Sequence, residues 1–267
     1  MNIKNKTVLI TGASSGIGAA IANAMSRAGA TQILLLAQDE QGLKKVAKEI
    51  EHNNVSTHIY SVDLSKKDAI AITVQNILNK VGVPDIIINN AGRGQWKFLE
   101  DTSADEIEQM MAVPYFTAAW LTRLFIPGML KRGEGHIVNI SSVASRLTWP
   151  GATAYIAQCR AMRGLSDALQ ADFYGTNIHV THYESGPIDS PYWQHNPNSR
   201  ERVPKIASIL VPVLKQEEVA KAIVNGVKHN KKLIVIPLMM KLVYILHFFF
   251  PFLTRWLMIT TGYHRKH

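Results

Sequence analysis

Three glycines, and the polar residues that end apolar runs, are where this chain could do chemistry. Gly12, Gly16 and Gly18 lie in the segment Thr7–Gly18, TVLITGASSGIG. Thr7-Val8-Leu9-Ile10 has the β-branched, apolar character of a buried strand, and Ala19-Ala20-Ile21-Ala22-Asn23-Ala24-Met25 continues as a helical pattern. Strand, glycine turn and helix together make a pyrophosphate site. Glycine lets backbone approach the phosphates, and the new helix directs its free N–H groups and positive dipole end at the anion. The spacing is TGxxxGxG rather than GxGxxG, and a glycine turn also serves simply to join a strand to a helix. Other chemistries lack their residue patterns. Ten histidines are present, but no HExxH or Cys/His ligand spacing occurs, so no metal is expected. Cys159 is the single cysteine, which precludes an intramolecular disulfide. No His or Asp stands beside it in sequence to make it a nucleophile, so it reads as a small buried residue.

The elements that must position these residues alternate in type. Strands are expected at Gln32–Ala37, His58–Val62, Asp85–Ile88, His136–Ile140, Ile178–His182 and Leu233–Ile236. Helices are expected over Glu40–His52, from a Ser65 cap through Leu78, Ala104–Lys131, Ala154–Tyr174 and Gln216–His229. Strands apolar on both faces and alternating with helices imply an α/β, doubly wound parallel sheet covered on both sides. In such a sheet ligands sit beyond the carboxyl ends of the strands. The residues there are Thr11 and Gly12, Ala37 to Asp39, Asp63, Asn89 to Gly92, Ser141 and Ser142, and Glu184 to Ser190. Their convergence is what a dinucleotide cleft requires, although Asp63 and Asn89 taken singly also fit ordinary turns.

The totals narrow the class. The chain has 267 residues, 47% hydrophobic and 18% charged, enough for one globular α/β domain. No linker or repeat divides it, so residues 1–237 are expected as the nucleotide-binding body, with 238–267 as an extension of the same domain. The first strand begins almost at once and no apolar signal segment precedes it, so a cytoplasmic protein is expected. The net charge of +9 suits an anionic cofactor or membrane face. No interleaved aromatic and basic pattern marks a nucleic-acid partner.

With these motifs in place, the chain resembles the short-chain dehydrogenase/reductase family from about Thr7 to Ile236. The likeness rests on TGASSGIG (Thr11–Gly18), DLS (Asp63–Ser65), NNAG (Asn89–Gly92), HIVNISS (His136–Ser142), Tyr155 thirteen residues after Ser142, and a degenerate PG segment, Ser185–Ser190. The resemblance implies a Rossmann fold with a seven-stranded sheet and a nicotinamide dinucleotide. It places the pyrophosphate at Gly12, Ser14, Gly16, Ile17 and Gly18. Adenine falls near Asp63 and Leu64, ribose at Asn90 within Asn90-Ala91-Gly92, and the carboxamide at Ile188 and Ser190. By the same resemblance Tyr155 is the proton donor or acceptor and Ser142 the carbonyl anchor. Family members with NADP carry a basic residue at positions that are Ser15 and Gln38 here. Asp39 would repel a 2′-phosphate, so the expectation leans to NAD over NADP.

Two positions depart from the family pattern. Its lysine, four residues after the tyrosine, is Cys159 here, and its asparagine in the long helix is Pro114. Without a nearby cation Tyr155 should titrate near 10, leaving roughly 0.1% phenolate at pH 7. Alcohol oxidation, which needs a base, should suffer more than carbonyl reduction, which needs a donor. Arg160 and Arg163 are candidate replacement cations. A proline inside a regular helix costs about 3 kcal/mol, so an irregular helix at Pro114 is expected. The resulting reading is a reductase of a hydrophobic ketone, with a non-catalytic cofactor-binding or membrane-associated scaffold as the alternative.

Beyond Ile236 lies LMMKLVYILHFFFPFLTRWLMI (Leu238–Ile259), interrupted by Lys241, His247, Pro251 and Arg255. Its clean apolar runs are too short to span a bilayer. It fits a core helix shaping a pocket for a lipophilic substrate, a dimer contact, or an interfacial segment touching a membrane surface. A homodimer or homotetramer is expected by resemblance, through the helices beginning near Ala104 and Ala154.

Overall fold

The computed structural model describes residues 1–265. Seven strands form one parallel sheet: β1 (Thr7–Thr11), β2 (Gln32–Ala37), β3 (Ser56–Ser61), β4 (Ile86–Asn89), β5 (Gly135–Ile140), β6 (Ile178–Ser185) and β9 (Leu233–Ile236). Their spatial order is β3-β2-β1-β4-β5-β6-β9, so the order reverses between β1 and β4. Two short strands, β7 (Ile188–Asp189) and β8 (Leu214–Lys215), pair with each other. The helices are α1 (Gly16–Arg27), α2 (Glu40–Ile50), α3 (Lys67–Lys80), α4 (Ala104–Met111), α5 (Thr117–Arg132), α6 (Thr153–Asp172), α7 (Tyr192–His195), α8 (Lys205–Leu210), α9 (Gln216–Lys228), α10 (Leu238–Phe249) and α11 (Pro251–Thr260).

The two-residue period of a strand sends alternate side chains to opposite faces, and helices cover both. Val8 and Ile10 of β1 and Ile33 and Leu35 of β2 join one core, closed by Ile21 and Met25 of α1 and Ile223 of α9. Leu9, Leu34 and Leu36 face the other core, closed by Ile77 of α3 and Phe125 and Met129 of α5. This is the doubly wound Rossmann-like α/β arrangement expected. A third cluster lies beyond the sheet. Trp96, Trp149, Ile156, Val211, Met240 and Met258 belong to it, drawn from loops, α6, α10 and α11.

Several local expectations change. The long helix over Ala104–Lys131 is broken by a wide π turn at Ala112–Phe116, with Pro114 buried inside it. Proline has no N–H to give a regular helical ladder. The widened turn moves the bonding out of register, and Thr117 Oγ1 donates to the Ala112 carbonyl at 3.2 Å. Ser65 does not cap α3, whose N-cap is Lys66. Instead the Asp63 carboxylate accepts from the Ser65 N–H and hydroxyl, so the pair forms a turn. The C-terminal segment is not one helix but two, α10 and α11, bent 118° apart.

Candidate functional site

The glycine turn is built as a cradle. Gly12 has φ +63°, and a Cβ there would sit 2.9 Å from the Ala91 Cα. Gly16 also has positive φ, at 58°. Ser15 is the N-cap of α1 but makes no side-chain cap, so the first-turn N–H groups of α1 stay free for an acceptor. Asn90 braces the cradle from β4. Its backbone N–H donates to Thr11 Oγ1 at 2.9 Å, and its Nδ2 donates to the Thr11 carbonyl at 3.0 Å. These residues fit the pyrophosphate of a dinucleotide. Backbone fills the space where side chains would otherwise stand.

One cavity of about 250 Å³ joins this cradle to the substrate side, and its lining includes Ile17, Ser142, Tyr155, Ile188 and Ser190. The tertiary fold thus brings together residues spread over 170 positions of sequence. Gly12, Ser14, Gly16 and Gly18 line up at its nucleotide end in the β1–α1 turn, with Asn90, Ala91 and Gly92 in the adjoining loop after β4. Asp63 and Leu64 follow β3, two strands out from β4. The Leu64 carbonyl accepts a hydrogen bond from Thr117 Oγ1. Burial does not move Asp63 upward: its bonds from Ser65 hold its carboxyl below the usual range.

Asp39 is exposed and caps α2, accepting from the Gly42 N–H at 3.0 Å. The lean to NAD drew on this carboxylate as a 2′-phosphate repellent. Its observed partner is the α2 N-terminus, where a negative charge complements the helix dipole.

The substrate end is aromatic. Trp96 lies over Tyr155 with ring centroids 5.2 Å apart, and Trp149 and Trp193 stand 5.1 and 5.7 Å from Trp96. Trp96 Nε1 donates to the Tyr192 hydroxyl at 3.2 Å, and that hydroxyl donates to the Gly94 carbonyl at 2.9 Å. The loop after β4 is thereby tied to α7. Sequence reading missed these four aromatics. Their one sequence signal is Tyr192-Trp193 immediately after the strand-end segment Ser185–Ser190.

Ser142 Oγ accepts from the Ala144 N–H at 3.3 Å, which leaves its own proton to donate. Burial pushes the Tyr155 hydroxyl well above 10, with the Ser142 hydroxyl opposing weakly. The expectation of about 10 was therefore too low. Cys159 sits one turn along α6 and is 2% exposed, and burial raises its thiol to about 12. It is a neutral, space-filling group rather than a nucleophile. Pro114 is also near the site, because its π turn packs on α6.

Neither arginine replaces a cation at Tyr155. Arg160 reaches outward to Thr148 Oγ1 at 2.8 Å. Arg163 pairs with Asp167 at 3.3 Å and with the buried Glu184. Glu184 also accepts from Arg146 Nε at 2.9 Å and from Ser145 Oγ at 2.8 Å, with His182 Nε2 at 3.3 Å. Burial alone would raise this carboxyl, but the His182 contact, Arg146 and Ser145 outweigh it and hold Glu184 at about 2. The charge of Arg163 is spent there. A buried polar chain continues from His182 to Ser166, Asn139 and Asn89, linking β6, α6, β5 and β4 behind the site. Among the described residues no group of His, Cys, Asp and Glu could hold a metal ion.

Similarity to known proteins agrees with this geometry. An uncharacterized oxidoreductase of Mycobacterium tuberculosis is 42% identical over 195 residues, 71% of this chain and 57% of that protein. The chain thus matches little more than half the length of that relative. A short-chain dehydrogenase from Sphingobium yanoikuyae in complex with NADPH superposes with a TM-score of 0.77 at 26% identity, covering 87% of this chain and 88% of the other. A bulky-bulky ketone specific alcohol dehydrogenase from Comamonas testosteroni gives a TM-score of 0.74 at 26% identity, covering 87% and 86%. Residues 6–201 match the family model described as short chain dehydrogenase. A glycine cradle on β1, a serine after β5 and a tyrosine on α6 are thus shared features of a lineage, and the chain belongs to the short chain dehydrogenase family of oxidoreductases.

Proposed function

We propose that this chain reduces a hydrophobic ketone with a nicotinamide dinucleotide, NADPH in preference to NADH. The observation that carries the reading is the apolar, tryptophan-lined cavity that ends on Ser142 and Tyr155. A dinucleotide held at the glycine cradle supplies the hydride. Ser142 Oγ–H donates to the substrate oxygen and fixes the carbonyl. Tyr155 Oη–H gives its proton to that oxygen as it becomes a hydroxyl. Burial keeps Tyr155 protonated, which suits reduction and starves the reverse reaction of a base. Trp96 holds the tyrosine ring and excludes water around it. NADPH is favoured because Asp39 is engaged as the α2 cap, and because the solved relative from Sphingobium yanoikuyae carries NADPH.

A second reading has its own support: with Cys159 and Pro114 at positions of the family's lysine and asparagine, and Arg163 bound to Glu184, the chain binds cofactor but turns over little. Titration with NADPH and NADH, followed by tryptophan fluorescence, comes first. Saturable NADPH binding with turnover of bulky ketones supports the reductase. Binding without turnover of any ketone supports the second reading, and no binding at millimolar cofactor overturns both. Cys159→Lys should raise alcohol oxidation on the order of tenfold or more, by restoring a cation that favours the Tyr155 phenolate. Unchanged or lost activity would show that the missing lysine is not the handicap.

A further inference from the structure

We infer that α10 and α11 dock this protein on the surface of an anionic phospholipid bilayer, with the mouth of the substrate cavity beside the lipid. The two helices are two-sided. Met240, Val243, Leu257 and Met258 point inward and line the cavity. The opposite side is apolar and open to solvent: Phe248 is 78% exposed, Phe252 72% and Trp256 59%, with Leu242, Ile245 and Phe249 also exposed. Ile209 and Val213, in and just after the neighbouring α8, extend the patch. Such a contiguous apolar face on a folded domain marks an interaction surface.

Charge selects the occupant. Residues 219–267 contain eight Lys and Arg and no Asp or Glu, so nearly all the net +9 of the chain arises there. Lys241 and Arg255 stand exposed within the apolar face. Lys241 and Arg146 border a groove of about 400 Å³ floored by Ile245, Phe248 and Phe249. Aromatic rings mixed with cations match the headgroup boundary of an anionic membrane. A two-fold contact between copies would set this basic face against itself. The geometry argues for lying on the bilayer rather than crossing it. At 1.5 Å per residue, α10 and α11 are about 18 and 15 Å long against a hydrocarbon core of about 30 Å. They also meet at 118°, and no single helix among the described residues is long and apolar enough to cross a membrane.

The cavity's position gives the docking a consequence, which rests on the reductase reading for what enters. Leu210 and Leu246 both line the cavity and are solvent-exposed, so they mark its rim on the side of the apolar face. A lipophilic ketone dissolved in the membrane would reach Tyr155 without crossing water.

The test is co-sedimentation of the full chain with vesicles of equimolar phosphatidylglycerol and phosphatidylcholine, and with phosphatidylcholine alone, beside the double variant Phe249→Glu/Phe252→Glu. Both side chains are exposed and neither lines the cavity, so the fold is retained. The expected result is binding to the anionic vesicles, at least tenfold weaker in the variant, in phosphatidylcholine alone and at high salt. Absence of binding, or binding that the variant leaves intact, overturns the proposal. So does a dimer in analytical ultracentrifugation that the variant dissociates while neither form binds vesicles. NADPH affinity measured on the same samples reports separately on the reductase reading.

Discussion

The two ends of the cleft are made differently. The nucleotide end is backbone: Gly12 and Gly16 in left-handed conformations, an uncapped α1 N-terminus, and Asn90 bonded to main-chain carbonyls. The substrate end is side chain: Trp96, Trp149 and Trp193 around Tyr155, roofed by Met240 and Met258. Backbone sites tolerate few replacements, because a Cβ meets fixed atoms and not a mobile neighbour. Side-chain sites can be refilled. In this chain the unusual residues, Cys159 and Pro114, both fall on or against α6, at the substrate end. The comparison teaches that cofactor capture and turnover are separable properties of this cleft.

Four substitutions sharpen or break that separation. Tyr155→Phe should have the largest effect, lowering kcat for ketone reduction about 10²- to 10⁴-fold while cofactor affinity stays within about twofold. If activity survives in a rate assay, the proton comes from elsewhere. Gly12→Val should weaken cofactor binding on the order of 100-fold, because valine resists positive φ and its Cβ would press on Ala91. Fluorescence titration checks this, and ordinary affinity would show that the cradle is not the phosphate site.

Glu184→Gln acts behind the cleft, on stability. The Glu184 carboxyl lies at about 2 in the folded protein against an ordinary 4.5. A lowered folded value contributes stability that is complete above about 4.5 and is lost as pH falls toward 2, worth roughly 3 kcal/mol. Thermal melts should therefore show the wild type losing this advantage between pH 5 and 2. The variant should be destabilised at pH 7, with Arg146 and Arg163 left without their carboxylate, and should have a flatter acid limb. Trp96→Leu should be mildest. It removes ring contacts worth about 0.5–1.5 kcal/mol, so KM for a bulky ketone should rise roughly two- to tenfold with NADPH affinity unchanged. An equal loss of NADPH affinity would mean that the two ends are coupled.

Much of this was legible in one dimension. β1 is four apolar residues and a threonine, its glycine turn follows directly, and both signals span neighbours in sequence. Leu233–Ile236 was bounded correctly for the same reason, being an apolar run with polar flanks. Boundaries failed where a distant partner sets the conformation. β6 runs on to Ser185 because Glu184 and Ser185 pair with Val235 and Ile236. The Ser65 cap failed because Asp63, two residues earlier, claims the Ser65 N–H and hydroxyl.

By itself the sequence determined the alternation of strand and helix, the glycine cradle, the Ser142 and Tyr155 pair, and the basic, apolar character of the C-terminal segment. These follow from local period, backbone freedom and residue type. Only the tertiary structure decided that Arg163 belongs to Glu184 rather than Tyr155, that Asp39 caps α2, that three tryptophans surround the tyrosine, and that α10 and α11 fold back over the cavity with their aromatics outward. Each of these depends on which side chains from remote segments share a space. A charge, a ring or an apolar face takes its role from the partner nearest to it, and that partner is chosen by packing.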